Sequence, residues 1–590
     1  MAALKIENLI TDHLDLWTAA VRPKSSAGRG SNSKLELTGI KKLRELILEL
    51  AVRGKLVPQD PSDEPASVLL ERIAAEKTRL VKEGKIKKPK ALPEIGEEDK
   101  PFELPEGWEC IRLGDLTSKM GSGSTPRGGQ SAYVSEGIPF LRSQNVWNEG
   151  LRLDDVVYID ENTHLKMEGT KVIPGDVLLN ITGASLGRTL IFPDSIKEAN
   201  VSQHVTIIRL LIDELAPFVH LGIKSPLVQD LIWGRQVGMA IEGLSKRTLE
   251  LFEFPIPPLA EQQRIVAKVD ELMVLCDQLE QRCESQLAAH QTLVETLLAT
   301  LTDSCDADEL AQNWARLSNH FDTLFTTEAS IDALKQTILQ LAVMGKLVPQ
   351  DPSDEPASAL LERIAAEKAQ LVKEKKIKKE KPLPAIGEDE KPFELPKGWE
   401  WCRLPDLGEL ARGKSKHRPR NDPKLYVNGT IPLVQTGDVA RADGLIESYT
   451  AMYNEIGLAQ SQLWPKGTLC ITIAANIADT GILGFDACFP DSVVGYTPYE
   501  SSLPVVYFDF FIRTAKENLE RFAPSTAQKN INLEILSNIL VPCPPTQEFI
   551  RIVRRVNDLF AICDQLKARL QTSQQTQLAL AESLVEGALA

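Results

Sequence analysis

The sequence has no long hydrophobic run. Its apolar stretches, such as residues 505–508, are no longer than a strand, whereas a helix that spans a membrane needs about 20 apolar residues. The N-terminus carries Asp12 and Asp15 among its apolar residues, which is not the pattern of a signal peptide. We therefore expect a cytoplasmic protein without a membrane partner. At 590 residues, the chain should fold into roughly three to five domains.

Cysteine and histidine are sparse. The nine cysteines are an odd number without any CxxC pair, and the seven histidines form no cluster. This pattern indicates neither a disulfide framework nor a zinc site. We expect most of the cysteines to be buried thiols.

An overall excess of basic charge is also lacking. The net charge is -15 and the isoelectric point is near 5.2. Taken alone, this charge argues against nucleic acid as a partner, because duplex binding normally requires a basic surface. Net charge is not local charge, however. Acidic surfaces can bind other proteins while a few basic loops contact phosphates.

The motifs of several enzyme classes are missing. The chain has neither the glycine-rich cofactor loop nor the Asn/Asp-Pro-Pro-aromatic segment that a base methyltransferase needs, and no nuclease-like carboxylate cluster. GELARGKS (408–415) matches a phosphate-binding loop, but prolines follow where its helix should begin. GASLG (183–187) matches a nucleophile elbow, but the strand-like RTLIF follows. We therefore predict no nucleotide site, no catalytic Ser185 and a non-catalytic chain.

What the sequence does contain is a long internal repeat. LAVRGKLVPQDPSDEPASVLLERIAAEKTRLVKEGKIKK (50–88) returns almost unchanged at residues 341–379, and the pairing extends to Glu109 and Glu400. Such a period is far too long for a solenoid, so two copies of one large unit are predicted. Recent duplication without a special role is the alternative explanation. Within each copy we predict a helix, with Pro65 in its first turn in the first copy.

Two variable regions of about 150 residues, a normal domain size, follow the repeats. IPFLRSQNV (138–146) corresponds to IPLVQTGDV (431–439), and the segment 172–192 corresponds to 463–485. Each pair predicts strand, turn and strand, and hence mixed α/β domains. We divide the chain into residues 1–103, 104–258, 259–394, 395–545 and 546–590, of which the second and fourth are the variable domains.

A long helix is predicted after each of the double prolines that close the variable domains. Its apolar residues follow a heptad, which favours one coiled coil. The alternative is that each helix packs on its own domain. The predicted seam residues are Ile265, Val269, Leu272, Cys276, Leu279, Cys283, Leu293 and Leu297, then Ile552, Val556, Leu559, Cys563, Leu566 and Leu570.

Several loops carry side chains suited to DNA. The stretch 412–424 is rich in Arg and Lys and has one acid, Asp422, so it should form an exposed basic loop. A glycine-rich loop (119–130) matches it in the first half, polar strand ends follow both loops, and segments 238–247 and 523–532 are a third pair. Solvated loops are the alternative. The candidate DNA-binding residues are Ser124, Thr125, Arg127, Arg142, Gln144, Asn145, Lys246, Arg412, Lys414, Lys416, Arg418, Arg420, Gln435, Asp438, Gln528 and Lys529.

The order of these parts resembles the specificity subunit (HsdS) of bacterial type I restriction-modification systems. LAVRGKLVPQD and its copy LAVMGKLVPQD are similar to the family's conserved-region signature, and the resemblance covers essentially the entire chain. It implies an α+β fold in which two target recognition domains each read one half of an asymmetric DNA sequence. Two conserved helical regions, forming an antiparallel coiled coil, would separate the domains about a pseudo-twofold axis. The second domain departs from the usual ending, with PTQEFI where the first has PLAEQQ.

The resemblance also implies the partners. Two modification subunits would methylate adenine with S-adenosylmethionine, and two restriction subunits would use ATP and Mg, so no cofactor is expected on this chain. Double-stranded DNA would be the remaining partner. A scaffold in which coiled coils join proteins and the variable domains bind peptide is the rival hypothesis. A self-contained restriction enzyme is opposed by the missing catalytic motifs.

Overall fold

The computed structural model describes residues 6–23, 35–235, 243–305, 307–375, 377, 383–474, 476–521 and 531–589. The chain forms two compact units. The first unit contains residues 1–286 and 573–590, and the second contains residues 287–572. None of the helices within the described ranges has the length and apolar character needed to span a membrane. The predicted boundaries at 103, 258, 394 and 545 stay predictions.

The elements up to the first long helix are a mixture of helices and short strands. The helices are α1 (Ile6–Thr11), α2 (Leu14–Ala19), α3 (Thr38–Val52), α4 (Ala66–Lys82), α5 (Glu161–Lys166), α6 (Ala216–Lys224), α7 (Pro226–Gly234), α8 (Lys246–Glu250) and α9 (Leu259–Asp303). The strands are β1 (Arg22–Pro23), β2 (Leu35–Glu36), β3 (Glu109–Arg112), β4 (Thr117–Ser122), β5 (Tyr133–Val134), β6 (Ile138–Leu141), β7 (Val146–Trp147), β8 (Gly150–Leu151), β9 (Val157–Ile159), β10 (Lys171–Val172), β11 (Val177–Asn180), β12 (Thr189–Ile191), β13 (Ala199–Val201), β14 (Val205–Leu210) and β15 (Glu253–Ile256).

The remaining elements are again a mixture of helices and short strands. The helices are α10 (Ala307–Asn319), α11 (Phe321–Leu324), α12 (Glu328–Val343), α13 (Ala357–Lys373), α14 (Leu404–Leu407), α15 (Thr436–Arg441), α16 (Glu455–Ala459), α17 (Val505–Arg521), α18 (Leu533–Asn538) and α19 (Thr546–Leu589). The strands are β16 (Glu400–Arg403), β17 (Gly408–Arg412), β18 (Ile431–Leu433), β19 (Leu445–Ile446), β20 (Ala451–Tyr453), β21 (Leu463–Trp464), β22 (Leu469–Thr472), β23 (Thr480–Leu483), β24 (Ala487–Cys488), β25 (Val493–Pro498) and β26 (Leu540–Cys543).

The two variable domains share one sheet plan. In the first, β12, β11, β14 and β4 form an antiparallel sheet, and β10, β13, β6, β9 and β5 form a mixed one. In the second, β23, β22, β25 and β17 are neighbours in the same order, and β21, β24, β18 and β20 match the mixed sheet. The closing strand pairs with the opening strand in both, as β15 with β3 and β26 with β16. The α+β fold class predicted from the sequence is confirmed.

The predicted strand-turn-strand segments are antiparallel hairpins. Val177 pairs with Ile191 in the first domain, and Leu469 pairs with Ile482 in the second. All four residues of β11 are buried, so the core drives the pairing. Gly183 and Gly187 have φ of +67° and +84°, which a residue with a Cβ rarely adopts, and they allow the chain to reverse. A strand therefore follows GASLG.

The two long helices, α9 and α19, are each shared between the units. The first unit holds the start of α9 and the end of α19, and the second unit holds the end of α9 and the start of α19. The predicted seam from Ile265 to Cys283 is buried.

Beyond Cys283 the predicted seam of α9 is wrong at Leu293, while Leu297 packs against the core at its edge. Leu293 is 50% exposed and Leu297 only partly buried, whereas Val294, Leu298 and Leu301 are buried in the core of the second unit. Val294 lies 11 residues after Cys283, which corresponds to about 3.67 residues per turn over three turns. This value is closer to the roughly 3.6 residues per turn of a straight helix than to the roughly 3.5 of a heptad repeat.

The repeated LAVxGKLVPQD segment anchors the start of a long helix in each unit. Trp108 and Gln59 donate hydrogen bonds to the Glu261 carboxylate at 3.1 and 3.3 Å, and Arg264 pairs with Asp63 at 2.6 Å. In the second unit Trp399 and Gln350 donate to Glu548 at 3.0 and 3.1 Å, and Arg551 pairs with Asp354 at 2.5 Å. The second double-proline ending therefore starts its helix as the first does, despite its different sequence.

The same segment also holds the end of a long helix. Lys55 donates to the carbonyl of Leu589 at 2.6 Å, and Lys346 donates to the carbonyls of Thr302 and Ser304 at 2.7 and 2.9 Å. A cation is favourable at a helix C-terminus, where carbonyl groups lack partners. Near-identity of the repeats thus has a structural reason in both units. Pro65 lies one position before the helix, as its N-cap, and not in its first turn as predicted.

Candidate nucleic-acid interface

The basic loop of the second variable domain is exposed, as predicted. It leaves β17 at Arg412, and Gly413 fits where a Cβ would lie 2.3 Å from the carbonyl oxygen of Phe489. Arg412, Lys414, Lys416, Arg418 and Arg420 all face solvent. Because GELAR forms a strand, the backbone of 408–412 is not a phosphate-binding loop.

The loop carries more acid than its own sequence indicates. Asp491 lies 2.8 Å from Arg420 and 4.0 Å from Arg418, and its carbonyl accepts a hydrogen bond from Arg412. Asp491 is 71 residues from Arg420, so the local sequence of the loop does not predict this contact. Lys414, Lys416 and Lys424 form no ion pair with any described residue, so the loop keeps a cationic excess.

A second acid orders the base of this loop. The Asp422 carboxylate accepts hydrogen bonds from the backbone N–H of Lys424 at 3.0 Å and from the His417 ring at 2.8 Å. These contacts, the backbone one foremost, hold the pKa of Asp422 below its ordinary value. Asp422 therefore stays ionised and shapes the loop.

The glycine-rich loop of the first domain stands at the corresponding place. Gly123 donates to Val205 as Gly413 donates to Val493, at 3.0 and 2.9 Å. Ser124, Thr125 and Arg127 are exposed. The Thr125 hydroxyl donates to Gln203 at 2.5 Å. The two loops thus share a position while their side chains differ.

The polar strand ends adopt one geometry in both domains. Asn145 accepts a hydrogen bond from the backbone N–H of Arg142 at 2.9 Å, and Asp438 accepts one from that of Gln435 at 2.8 Å. Gln144 and Gln435 are exposed, and the Arg142 guanidinium donates to the carbonyl of Asp155 at 2.5 Å.

Asn145 and Asp438 are buried, 1% and 5% exposed. The Asn145 amide also donates to Arg152, so both of its ends bond within the protein. Asp438 also pairs with Arg441 at 2.5 Å. Both residues shape the strand end, and base contact by either stays a prediction.

The third pair of segments is only partly described. Lys246 begins α8, is 56% exposed at its side chain and lies 3.4 Å from Glu250. Gln528, Lys529 and residues 238–242 lie outside the described residues. The role of this pair in binding phosphate stays a prediction.

A further cluster, which the sequence did not predict, is centred on Trp147. The guanidinium carbons of Arg152 and Arg188 each lie 3.6 Å from the ring centroid of Trp147. Trp147 lies two residues after Asn145, and its indole N–H donates to the carbonyl of Gln144 at 2.7 Å. An aromatic residue among polar candidates was the available signal, but no spacing rule brings Arg188 to it.

Sites for other chemistry are not evident in the described ranges. There, no group of three His, Cys, Asp or Glu side chains is placed to hold a metal ion. Ser185 donates weakly to the carbonyl of Thr182 at 3.4 Å, and no histidine is bonded to it in those ranges. Most cysteines are buried free thiols, as predicted.

Two domains of one plan, with different side chains at matching loops, define a protein built from two recognition modules. A family model described as the type I restriction modification DNA specificity domain matches residues 105–289 and 396–573, more than half of the chain. The chain belongs to this family.

Relatives match over the full length. The type I restriction enzyme EcoEI specificity subunit of Escherichia coli is 43% identical over 604 residues, covering 99% of this chain and 100% of the relative. The EcoAI specificity subunit of Escherichia coli is 41% identical, with the same coverage. A chain from a structure of type I R-M system assembly and conformational transition is 16% identical, with a TM-score of 0.47, covering 83% of this chain and 99% of that one.

Proposed function

We propose that this chain reads DNA sequence for a type I restriction-modification enzyme, with one variable domain for each half of a bipartite, asymmetric target. One observation carries the proposal. The two domains present loops at the same positions of the same sheets, yet the side chains on those loops differ. A duplicated frame suits two half-sites, and unlike readers suit two different half-sites.

The chain's part in the enzyme is recognition. We propose that modification subunits, two per complex, methylate adenine in the target and that two restriction subunits cleave DNA. S-adenosylmethionine, ATP and Mg would be bound by those subunits, and the complex would work in the cytoplasm of a bacterium. The net charge of -15 supports acidic surfaces for protein partners in addition to the exposed cationic loop.

The exposed candidate DNA-binding residues are the ones best placed to contact a duplex. Gln144 and Gln435 can hydrogen-bond base edges, and the lysines of the basic loop can neutralise phosphates. Arg418 and Arg420 are about half exposed while contacting Asp491, so duplex phosphates would compete for them with that carboxylate.

Sequencing of methylated DNA tests the function. Cells that carry the chain with its modification subunits should methylate adenines within one split motif of two defined parts and a spacer of constant length. Deleting the chain while keeping the modification subunits should abolish this pattern. Methylation that continues without the chain, or an unsplit motif, contradicts the proposal. A scaffold function predicts the first of these results.

A further inference from the structure

Trp147 holds an arginine on each face. Because van der Waals contact keeps a stacked plane about 3.5 Å from the ring, a guanidinium carbon 3.6 Å from the centroid lies nearly over the ring centre. Only one guanidinium fits there on each side. Arg152 and Arg188 therefore stack on opposite faces of the indole.

The indole is fixed before any ligand arrives. Its N–H is bonded to Gln144, and its backbone belongs to the hairpin of β7 and β8, in which Trp147 pairs with Gly150. Gly150, the first residue after the two-residue turn, has φ of +131°, a conformation that requires glycine at this position. The turn is tied down because Asn148 accepts a hydrogen bond from the backbone N–H of Thr189 at 2.9 Å.

The cluster holds two cations and little acid. Arg152 has one carboxylate nearby, that of Glu149 at 3.8 Å, and both side chains are more than half exposed. The Arg188 side chain has no hydrogen bond or ion pair with any described residue, and its contact is the indole face. A stacked guanidinium keeps its N–H donors free along the edge of its plane. The indole face thus positions the Arg188 guanidinium, while its N–H donors have no hydrogen-bond partner among the described residues.

The second domain lacks this cluster at the matching positions. The carbonyl of Arg188 accepts a hydrogen bond from the backbone N–H of Asn180 at 2.8 Å. The carbonyl of Asp479 accepts one from the N–H of Thr472 at 2.9 Å, so Arg188 corresponds to Asp479. The two strand ends also align, so that Trp147 corresponds to Ala440. One domain therefore has Arg and Trp where the other has Asp and Ala, which is the kind of difference that two unlike half-sites require.

We propose that Arg188, positioned by Trp147, recognises a guanine in the half-site bound by the first variable domain. The free edge of a guanidinium matches the O6 and N7 acceptors of guanine in the major groove. Trp147 is the positioning residue, and Arg152 secures the other face of its ring. This inference rests on the proposed function, because it concerns the bases that the domain reads.

The test uses the full chain reconstituted with its modification subunits, after the methylated motif is known. Binding is measured for the cognate duplex and for duplexes with each base pair of the motif changed in turn. Arg188→Ala should weaken cognate binding about 10- to 100-fold and abolish discrimination at one G·C pair of one half-site. Discrimination within the other half-site serves as the internal control for folding.

Conservative variants separate base reading from charge. Arg188→Lys should keep the salt dependence without restoring discrimination, because a lysine lacks the planar fork. Trp147→Phe should keep more of the discrimination than Trp147→Ala, because phenylalanine still offers a face for stacking.

Two results would overturn the inference while leaving the function intact. In one, Arg188→Ala weakens all duplexes alike and lowers the salt slope by about one, as loss of a phosphate contact does. In the other, the base preferences do not change. A wild-type complex that selects no split motif would instead overturn the proposed function itself, together with this inference.

Discussion

Replacing Glu261 with alanine should loosen the loop of residues 54–63 and leave its copy at residues 345–354 unchanged. Glu261 and Trp108 are buried, and the Glu261 carboxylate accepts from the Trp108 indole and from Gln59. Without the carboxylate the indole N–H has no acceptor in a site closed to water, which costs about 1–3 kcal/mol.

The expected size follows from two opposing effects. Burial raises the pKa of Glu261, so the protein already bears a cost for keeping this group out of water, and alanine removes that cost. Loss of both hydrogen bonds outweighs it, because bonds to a charged acceptor are each worth about 1.5–3 kcal/mol. We expect loop opening to become easier by about 2 kcal/mol, or about thirty-fold.

Hydrogen–deuterium exchange of the full chain measures this local opening. The two loops have identical sequences, but peptides that reach Arg53 or Met344 distinguish them. Glu548→Ala is the matched variant, since it should loosen residues 345–354 and spare 54–63. The account would be refuted if either variant loosened both loops equally. It would also be refuted if Glu261→Ala did not loosen residues 54–63 or Glu548→Ala did not loosen residues 345–354.

Three further predictions concern DNA binding, pH and helix ends. The double variant Arg418→Ala, Arg420→Ala should weaken DNA binding by the reconstituted complex and lower the slope of log affinity against log salt by up to about two, whereas Asp491→Asn should strengthen binding. Binding titrations at several salt concentrations measure both effects. Unchanged affinity of the double variant would show that this loop does not contact DNA. Burial lowers the pKa of His220 to about 4. Between pH 6.5 and 4 this histidine is therefore protonated in the unfolded chain and neutral in the folded chain, so up to about 3 kcal/mol of stability should be lost as the pH falls through this range. Urea unfolding followed across this range should show the loss, and His220→Gln should lack it. Lys55→Met should speed exchange in the last turn of α19 several-fold, as expected for losing about 0.5–1 kcal/mol at a helix terminus, and leave the end of α9 unchanged.

Much of the fold was predictable because it rests on short-range patterns. The hairpin Val177–Ile191 follows from a buried apolar run and glycines at the turn, and the seam from Ile265 to Cys283 follows from heptad spacing. The shift to Val294 was not predictable from that spacing, because which unit the end of α9 packs in is a tertiary property.

The candidate site was predictable in outline and not in detail. Exposure of the basic loop follows from its Pro, Gly and charge content. Neutralisation by Asp491, and the stacking of Arg188 on Trp147, join residues that only the folded sheets bring together. Asn145 resembles a base reader by residue type, but the structure uses it to cap the turn that presents Gln144.

Exchange of one variable domain tests the central claim most directly. Residues 104–258 would be replaced by the matching segment of a relative whose methylated motif differs in both halves, and the methylated DNA of cells carrying the hybrid would be sequenced. One reader per half-site predicts a motif in which one half becomes that of the relative, while the other half and the spacer length stay unchanged. A motif changed in both halves, or in neither, would contradict the account.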